Sequence, residues 1–148
     1  MRKIFLVLLF ISISSSGAFA QLEKPVSWSY FAKKTAKNEA TIYLKATMES
    51  RWHIYSLTVK GGPTPTSFAF SPSKDFSLIG KANAPKPMSK YDKNLKTDLT
   101  YYEDEVVFSQ KIKLNKPTTI AKVEVEFMAC NDKACLPSDR INLSIPIK

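Results

Sequence analysis

The chain has 148 residues, 22 Lys and Arg against 13 Asp and Glu, a formal net charge of +9, a single histidine and two cysteines. That length holds one domain with a real core and not two, and one His with two Cys falls short of the four ligands of a closed zinc site, so neither a metal nor a cofactor is expected. The lysines are scattered, with no Arg-rich run and no basic helix, and describe a solvated basic surface rather than a nucleic-acid footprint.

Residues Met1–Ala20 read as a cleavable secretory signal peptide. Arg2 and Lys3 form a positive start, Ile4–Ile11 is an unbroken apolar run, and Ala18-Phe19-Ala20 fits the small-x-small cleavage pattern before Gln21. The run is too short to span a bilayer, and no Cys stands at the cleavage site to take a lipid. The expectation is a mature chain of residues 21–148, with no transmembrane segment, in an oxidising exported compartment such as the periplasm. Such an address also argues against nucleic acid as a partner.

Short alternating runs fill the mature chain, and no amphipathic helix is evident. Val26, Trp28 and Tyr30 alternate with serines, and Ala40, Ile42, Leu44, Ala46 and Met48 alternate with Thr41, Tyr43, Lys45 and Thr47. Further strands are predicted at 52–59, 66–70, 76–79, 101–114, 121–127 and 141–147. Gly61-Gly62-Pro63, Ser71-Pro72-Ser73 and Asn115-Lys116-Pro117 punctuate them as turns. About eight strands with this spacing predict an all-β fold, an immunoglobulin-like antiparallel β-sandwich.

Residues 81–100 lack strand character, and a loop of this length in a compact domain is either a mobile surface segment or a lid. Tyr91, Asp92, Asn94 and Leu95 stand in its polar part. The lone His53 lies on the strand Trp52-His53-Ile54-Tyr55, where Trp52 and Ile54 share one face and His53 and Tyr55 the other. Either His53 is an ordinary packed or surface residue, or it faces the cysteines with Tyr55 and shapes their reactivity.

Cys130 and Cys135 sit where the regular strand 121–127 gives way to a turn, and Leu136-Pro137-Ser138 interrupts pairing before the last strand. The expected arrangement is a hairpin with a dithiol at its exposed head. A disulfide there closes too short a ring to be an effective staple, and an exposed head leaves both sulfurs open to another thiolate. Redox exchange and a local structural bridge both remain open on these residues alone.

The signal peptide, the strand Trp52-His53-Ile54-Tyr55, the polar segment Tyr91-Asp92-Lys93-Asn94-Leu95, the strand 102–114 and Cys130…Cys135-Leu136-Pro137 together resemble the N-terminal periplasmic domain of the thiol:disulfide interchange protein DsbD. The resemblance covers essentially the whole mature chain. It implies an immunoglobulin-like sandwich whose cysteine pair, Cys130 and Cys135, passes reducing equivalents from a membrane-embedded thiol reductase to periplasmic thioredoxin-like oxidoreductases. It further implies a cap formed by Tyr91, Asp92, Asn94 and Leu95, with Leu95 at the position of the family's cap Phe, and His53 and Tyr55 at two flanking tyrosines.

By the same analogy Cys135 joins partners and Cys130 resolves. The chain departs from the best-known members in having four residues rather than five between the cysteines, one proline rather than two after them, and Leu rather than Phe in the cap. It also ends straight after its last predicted strand, so the expectation is a single-domain relative without the membrane and thioredoxin-like domains of full-length DsbD, drawing its electrons from separate proteins. No Cys-x-x-Cys opens a helix, so no helix N-terminus is expected to lower a thiol pKa. The rival expectation is a non-enzymatic secreted sandwich, a binding or assembly module whose hairpin disulfide is structural.

Overall fold

The computed structural model describes residues 24–148; the predicted signal peptide lies outside them. The strands, in chain order, are β1 (Val26–Ala36), β2 (Glu39–Met48), β3 (His53–Tyr55), β4 (Ser67–Phe70), β5 (Phe76–Asn83), β6 (Met88–Asp92), β7 (Thr97–Glu103), β8 (Glu105–Leu114), β9 (Thr119–Phe127), β10 (Ala129–Cys130) and β11 (Asp139–Ile147). They form antiparallel sheets in the orders β1-β2-β8-β5, β10-β3-β7-β6 and β11-β9-β4. No helix occurs among the described residues, and the architecture is an immunoglobulin-like sandwich.

Period-two patterning explains the layers. Ile42 and Leu44 of β2, Phe108 and Ile112 of β8, Val123 and Val125 of β9, and Ile145 and Ile147 of β11 are all fully buried, while their neighbours along each strand, the buried Thr41 excepted, are half-buried or exposed. Trp28 of β1 joins the sheets: its ring centroid lies 6.1 Å from that of Phe68 on β4, 6.0 Å from Phe108 and 5.4 Å from Phe127 on β9. Tyr102 of β7 meets Phe108 edge to face at 5.6 Å, so the sheet carrying β3 and β7 packs on the same core.

Three predicted boundaries are corrected. The run 101–114 is not one strand: it breaks at Asp104, whose φ of 57° turns the chain from the β3–β7 sheet into the β2–β8 sheet. The Asp104 carbonyl accepts the Met48 amide at 2.8 Å, so the break is itself hydrogen-bonded.

Residues 81–100 are not a loop either. β5 runs on to Asn83 past a register shift after Ile79, and β6 and β7 form a hairpin. β6 is an edge strand exposed along nearly all its length, so burial imposes no alternation on it. The predicted strand 52–59 shrinks to β3, after which Ser56 ties to Thr100 by an amide–carbonyl bond of 2.9 Å and a hydroxyl–hydroxyl bond of 2.6 Å.

Candidate functional site: a cysteine pair at the edge of a cleft

β9 pairs with β11 as far as Phe127 opposite Asp139. Beyond Met128 the chain leaves that ladder, and β10 adds to the other sheet, with Ala129 opposite Ile54 and Cys130 opposite His53. Four residues then turn the chain back to Cys135. Asn131 builds the turn: its side-chain Oδ1 accepts the amides of Lys133 at 2.8 Å and Ala134 at 2.9 Å, and its own amide donates to the Ala134 carbonyl at 2.9 Å. This is an Asx-type turn, which an Asn in this position favours. Cys130 and Cys135 face each other across a single antiparallel bridge and are joined as a disulfide.

The two sulfur-bearing residues differ sharply in access. Cys130 is 1% exposed, in a small cluster with Tyr55, Val59 and Leu99, whereas Cys135 is solvent-exposed. The expectation that an exposed hairpin head opens both sulfurs is therefore corrected. Cys130 lies on the face of its sheet turned away from the sandwich core, but residues from β3, β7 and the segment after β3 roof it over.

Register explains what surrounds the pair. Cys130, His53 and Glu103 are successive cross-strand partners on β10, β3 and β7, and Tyr55, Tyr101 and Met88 form the next such row. Opposed residues share a sheet face, so these side chains stand together while Ile54 and Tyr102 turn into the core. Above them is an open cleft of about 470 Å³. Cys130, Cys135, His53, Tyr55, Tyr91, Asp92 and Asn94 all line it.

Leu95 does not line the cleft. The β6–β7 turn is shaped by Asp92, whose Oδ1 accepts the amides of Asn94 at 2.8 Å and Leu95 at 2.9 Å. Leu95 lies over Gly62, where an added Cβ would stand 3.3 Å from Leu95 Cδ1. Of the residues predicted to surround the dithiol, Leu95 is the one not brought to the cleft; Tyr91, 57% exposed at the cleft rim, is the aromatic the hairpin presents there.

Glu103, Tyr101, Lys90 and Leu99 also line the cleft without having been singled out in the sequence. Their placement depends on pairing between β3, β7 and β6, which no local pattern announces. Asn131 was more accessible to sequence reasoning, as a turn-forming residue next to a cysteine.

Electrostatically, burial lowers the pKa of His53 below its ordinary value of 6.5, with Glu103 and Asp132 pulling it upward and Lys90 adding to the depression. The imidazole packs against Tyr55 at 5.3 Å and Tyr101 at 5.1 Å between ring centroids. Burial, and secondarily the Asp92 carboxylate, raises the Tyr55 phenol above 10.0. Among the described residues no cluster of His, Cys, Asp and Glu has the grouping of a metal site, and no helix is long and apolar enough to cross a membrane.

A sandwich bearing a half-buried, half-accessible cysteine pair at the edge of a cleft defines a thiol–disulfide exchange domain. The sequence matches the family described as "Thiol:disulfide interchange protein DsbD, N-terminal" over residues 21–144, and the chain belongs to that family. No curated protein is similar to it in sequence at a comparable level.

Among solved structures, it resembles the N-terminal periplasmic domain of ScsB from Proteus mirabilis with a TM-score of 0.62 at 16% identity, over 84% of this chain and 47% of that one. It thus spans about half of the ScsB chain. It also resembles the Neisseria meningitidis DsbD N-terminal domain in the reduced form, with a TM-score of 0.54 at 14% identity, over 78% of this chain and 82% of the other. A third similar structure is that domain in a complex between the DsbD N-terminal and PilB N-terminal domains of the same organism, with a TM-score of 0.52 at 12% identity, over 78% and 80% of the two chains. At these identities the structural likeness speaks to the fold.

Proposed function

We propose that this domain is a periplasmic relay that accepts reducing equivalents from a membrane-embedded thiol reductase and hands them to periplasmic thioredoxin-like oxidoreductases through Cys130 and Cys135. The observation that carries the reading is the unequal exposure of the pair: Cys135 is open to solvent and Cys130 is 1% exposed. A donor thiolate attacks Cys135 Sγ, the bond to Cys130 breaks, and its electron pair leaves on Cys130 Sγ. The donor's second thiol displaces Cys135 from the mixed disulfide, leaving the donor oxidised and this pair reduced. In the second half, Cys135 thiolate attacks the acceptor's disulfide and Cys130 resolves the mixed disulfide, so two electrons and two protons have passed from donor to acceptor.

Three lines support the partners and the address. Family membership supplies the exchange chemistry, the predicted leader at Met1–Ala20 supplies export, and the DsbD–PilB complex shows a domain of this fold assembling with another protein. The cleft beside Cys135 leaves room for a partner's loop, with Tyr91, Asp92 and Asn94 on the β6–β7 side as its rim.

The test is capture. A Cys130→Ser variant lacks the resolving sulfur and is expected to accumulate a mixed disulfide through Cys135 with a periplasmic thioredoxin-like oxidoreductase, while Cys135→Ser accumulates none. Equal capture by both variants, or by neither, contradicts the assignment of roles.

A further inference from the structure

Three strands lay a sulfur, an imidazole and a carboxylate in one row. Cys130 on β10 is the cross-strand partner of His53 on β3, and His53 is the partner of Glu103 on β7. Directly opposed residues project from the same face with Cβ atoms about 4.5–5.5 Å apart. At its inner end the row reaches the sulfur-bearing residue that is buried, and at its outer end a carboxylate in water.

From this row we infer that His53, whose charged form the nearby Glu103 favours, is the proton carrier of the exchange: its imidazolium protonates Cys130 Sγ as that sulfur is expelled, and its neutral imidazole takes the proton back when Cys130 resolves a mixed disulfide. The inference rests on the reading that partners attack at Cys135. In that step the S–S bond breaks toward Cys130, and the new thiolate forms among Tyr55, Val59 and Leu99, where little water can stabilise it. A sulfur whose thiolate is disfavoured is a poor leaving group. Cys135 faces solvent and needs no such help.

The groups around His53 fit the role. From β7, Glu103 favours the imidazolium, and Asp132 of the turn between the cysteines does the same. Burial, and to a smaller degree Lys90 of β6, oppose it, and the net effect holds the imidazole below its ordinary pKa. Tyr55 on its own strand and Tyr101 on β7 hold the ring between them. Tyr55 is no substitute donor, because burial and Asp92 hold its proton more tightly than usual.

The test follows reduction of the oxidised protein by excess dithiothreitol from about pH 4 to 9, a window that extends well below the ordinary His value and past the ordinary Cys value, with each rate divided by the thiolate fraction of the reductant. The wild-type rate per thiolate is expected to rise by about tenfold as pH falls through the His53 titration, below the usual range for general acids because sulfur leaves readily. His53→Gln removes the rise. Glu103→Gln moves its midpoint to lower pH; Glu103 is exposed, so this variant keeps the fold even where His53→Gln weakens it. A His53→Gln profile that superimposes on wild type, or a Glu103→Gln midpoint that stays in place, overturns the proton role and leaves the relay standing. A wild-type disulfide that dithiothreitol does not reduce overturns both.

Discussion

Reducing the disulfide should cost the fold little, because a thiol–disulfide exchange domain must be stable with its pair both open and closed. The bond joins positions separated by 5 in sequence, and closing a ring of about six residues removes loop entropy worth about 2 kcal/mol from the unfolded chain. Nothing in the main core leans on it. Phe108, Ile112, Val125 and Ile145 are buried by the three sheets, and the turn between the cysteines keeps its Asn131 bonds and the 2.9 Å bond from the Leu136 amide to the Ala129 carbonyl. For a domain of this size a loss of about 2 kcal/mol lowers Tm by roughly 6–10 °C. Calorimetry of the oxidised protein, the reduced protein and Cys135→Ser should show three cooperative transitions, the last two close together. A reduced protein that loses its β-sheet circular dichroism at 37 °C, or more than about 5 kcal/mol, the upper end for native bridges, would show that the bond is a staple and refute the argument.

Other consequences are open to simpler measurements. With the folded-state pKa of His53 below 6.5, the unfolded chain binds more protons between the two values and stability rises with pH there; the contribution is full above about 6.5 and lost as pH falls through the folded value. Urea midpoints should therefore decline on acidification, and less steeply in His53→Gln. Asn131→Ala removes two side-chain acceptor bonds of the turn and should cost about 1–2 kcal/mol in urea unfolding; no change would mean the turn is held by the disulfide alone. Tyr91→Ala should speed alkylation of the reduced pair by a small iodoacetamide-type reagent, whereas Leu95→Gly should leave the rate unchanged, since Tyr91 borders the cleft and Leu95 lies over Gly62. The opposite ranking would restore Leu95 as the cap.

How much of this was legible depended on how each segment is buried. β2, β8, β9 and β11 each bury one face, and their alternating residues show it directly. The break at Asp104 was hidden because Tyr102 and Val106 keep the same phase on either side of it. Its only mark is a carboxylate in a slot that the alternation reserves for an apolar side chain. β6, exposed on an edge, carried no pattern at all.

The cysteines and the two faces of β3 could be placed from local sequence, and Trp52 and Ile54 do join the core while His53 and Tyr55 turn to the cleft. The burial of Cys130 could not be placed. It comes from Val59 and Leu99, remote in sequence and brought over the sulfur by sheet pairing. The same remoteness concealed Glu103, whose importance appears only once β7 is seen beside β3. The contact of Leu95 with Gly62 was equally hidden, because position along a loop says nothing of where a turn aims a side chain; the Asp92 bonds that shape the turn are visible only in the folded hairpin.

A Cys130–Cys135 bond made to be exchanged must be reducible by other thiols. The direct measurement is the reduction potential of residues 21–148, obtained by equilibrating them with graded dithiothreitol and glutathione buffers and trapping free thiols. A value above about −300 mV, in the range of proteins that trade disulfides, is expected, whereas a value well below that belongs to a structural bridge and would show that the bond is not made for exchange.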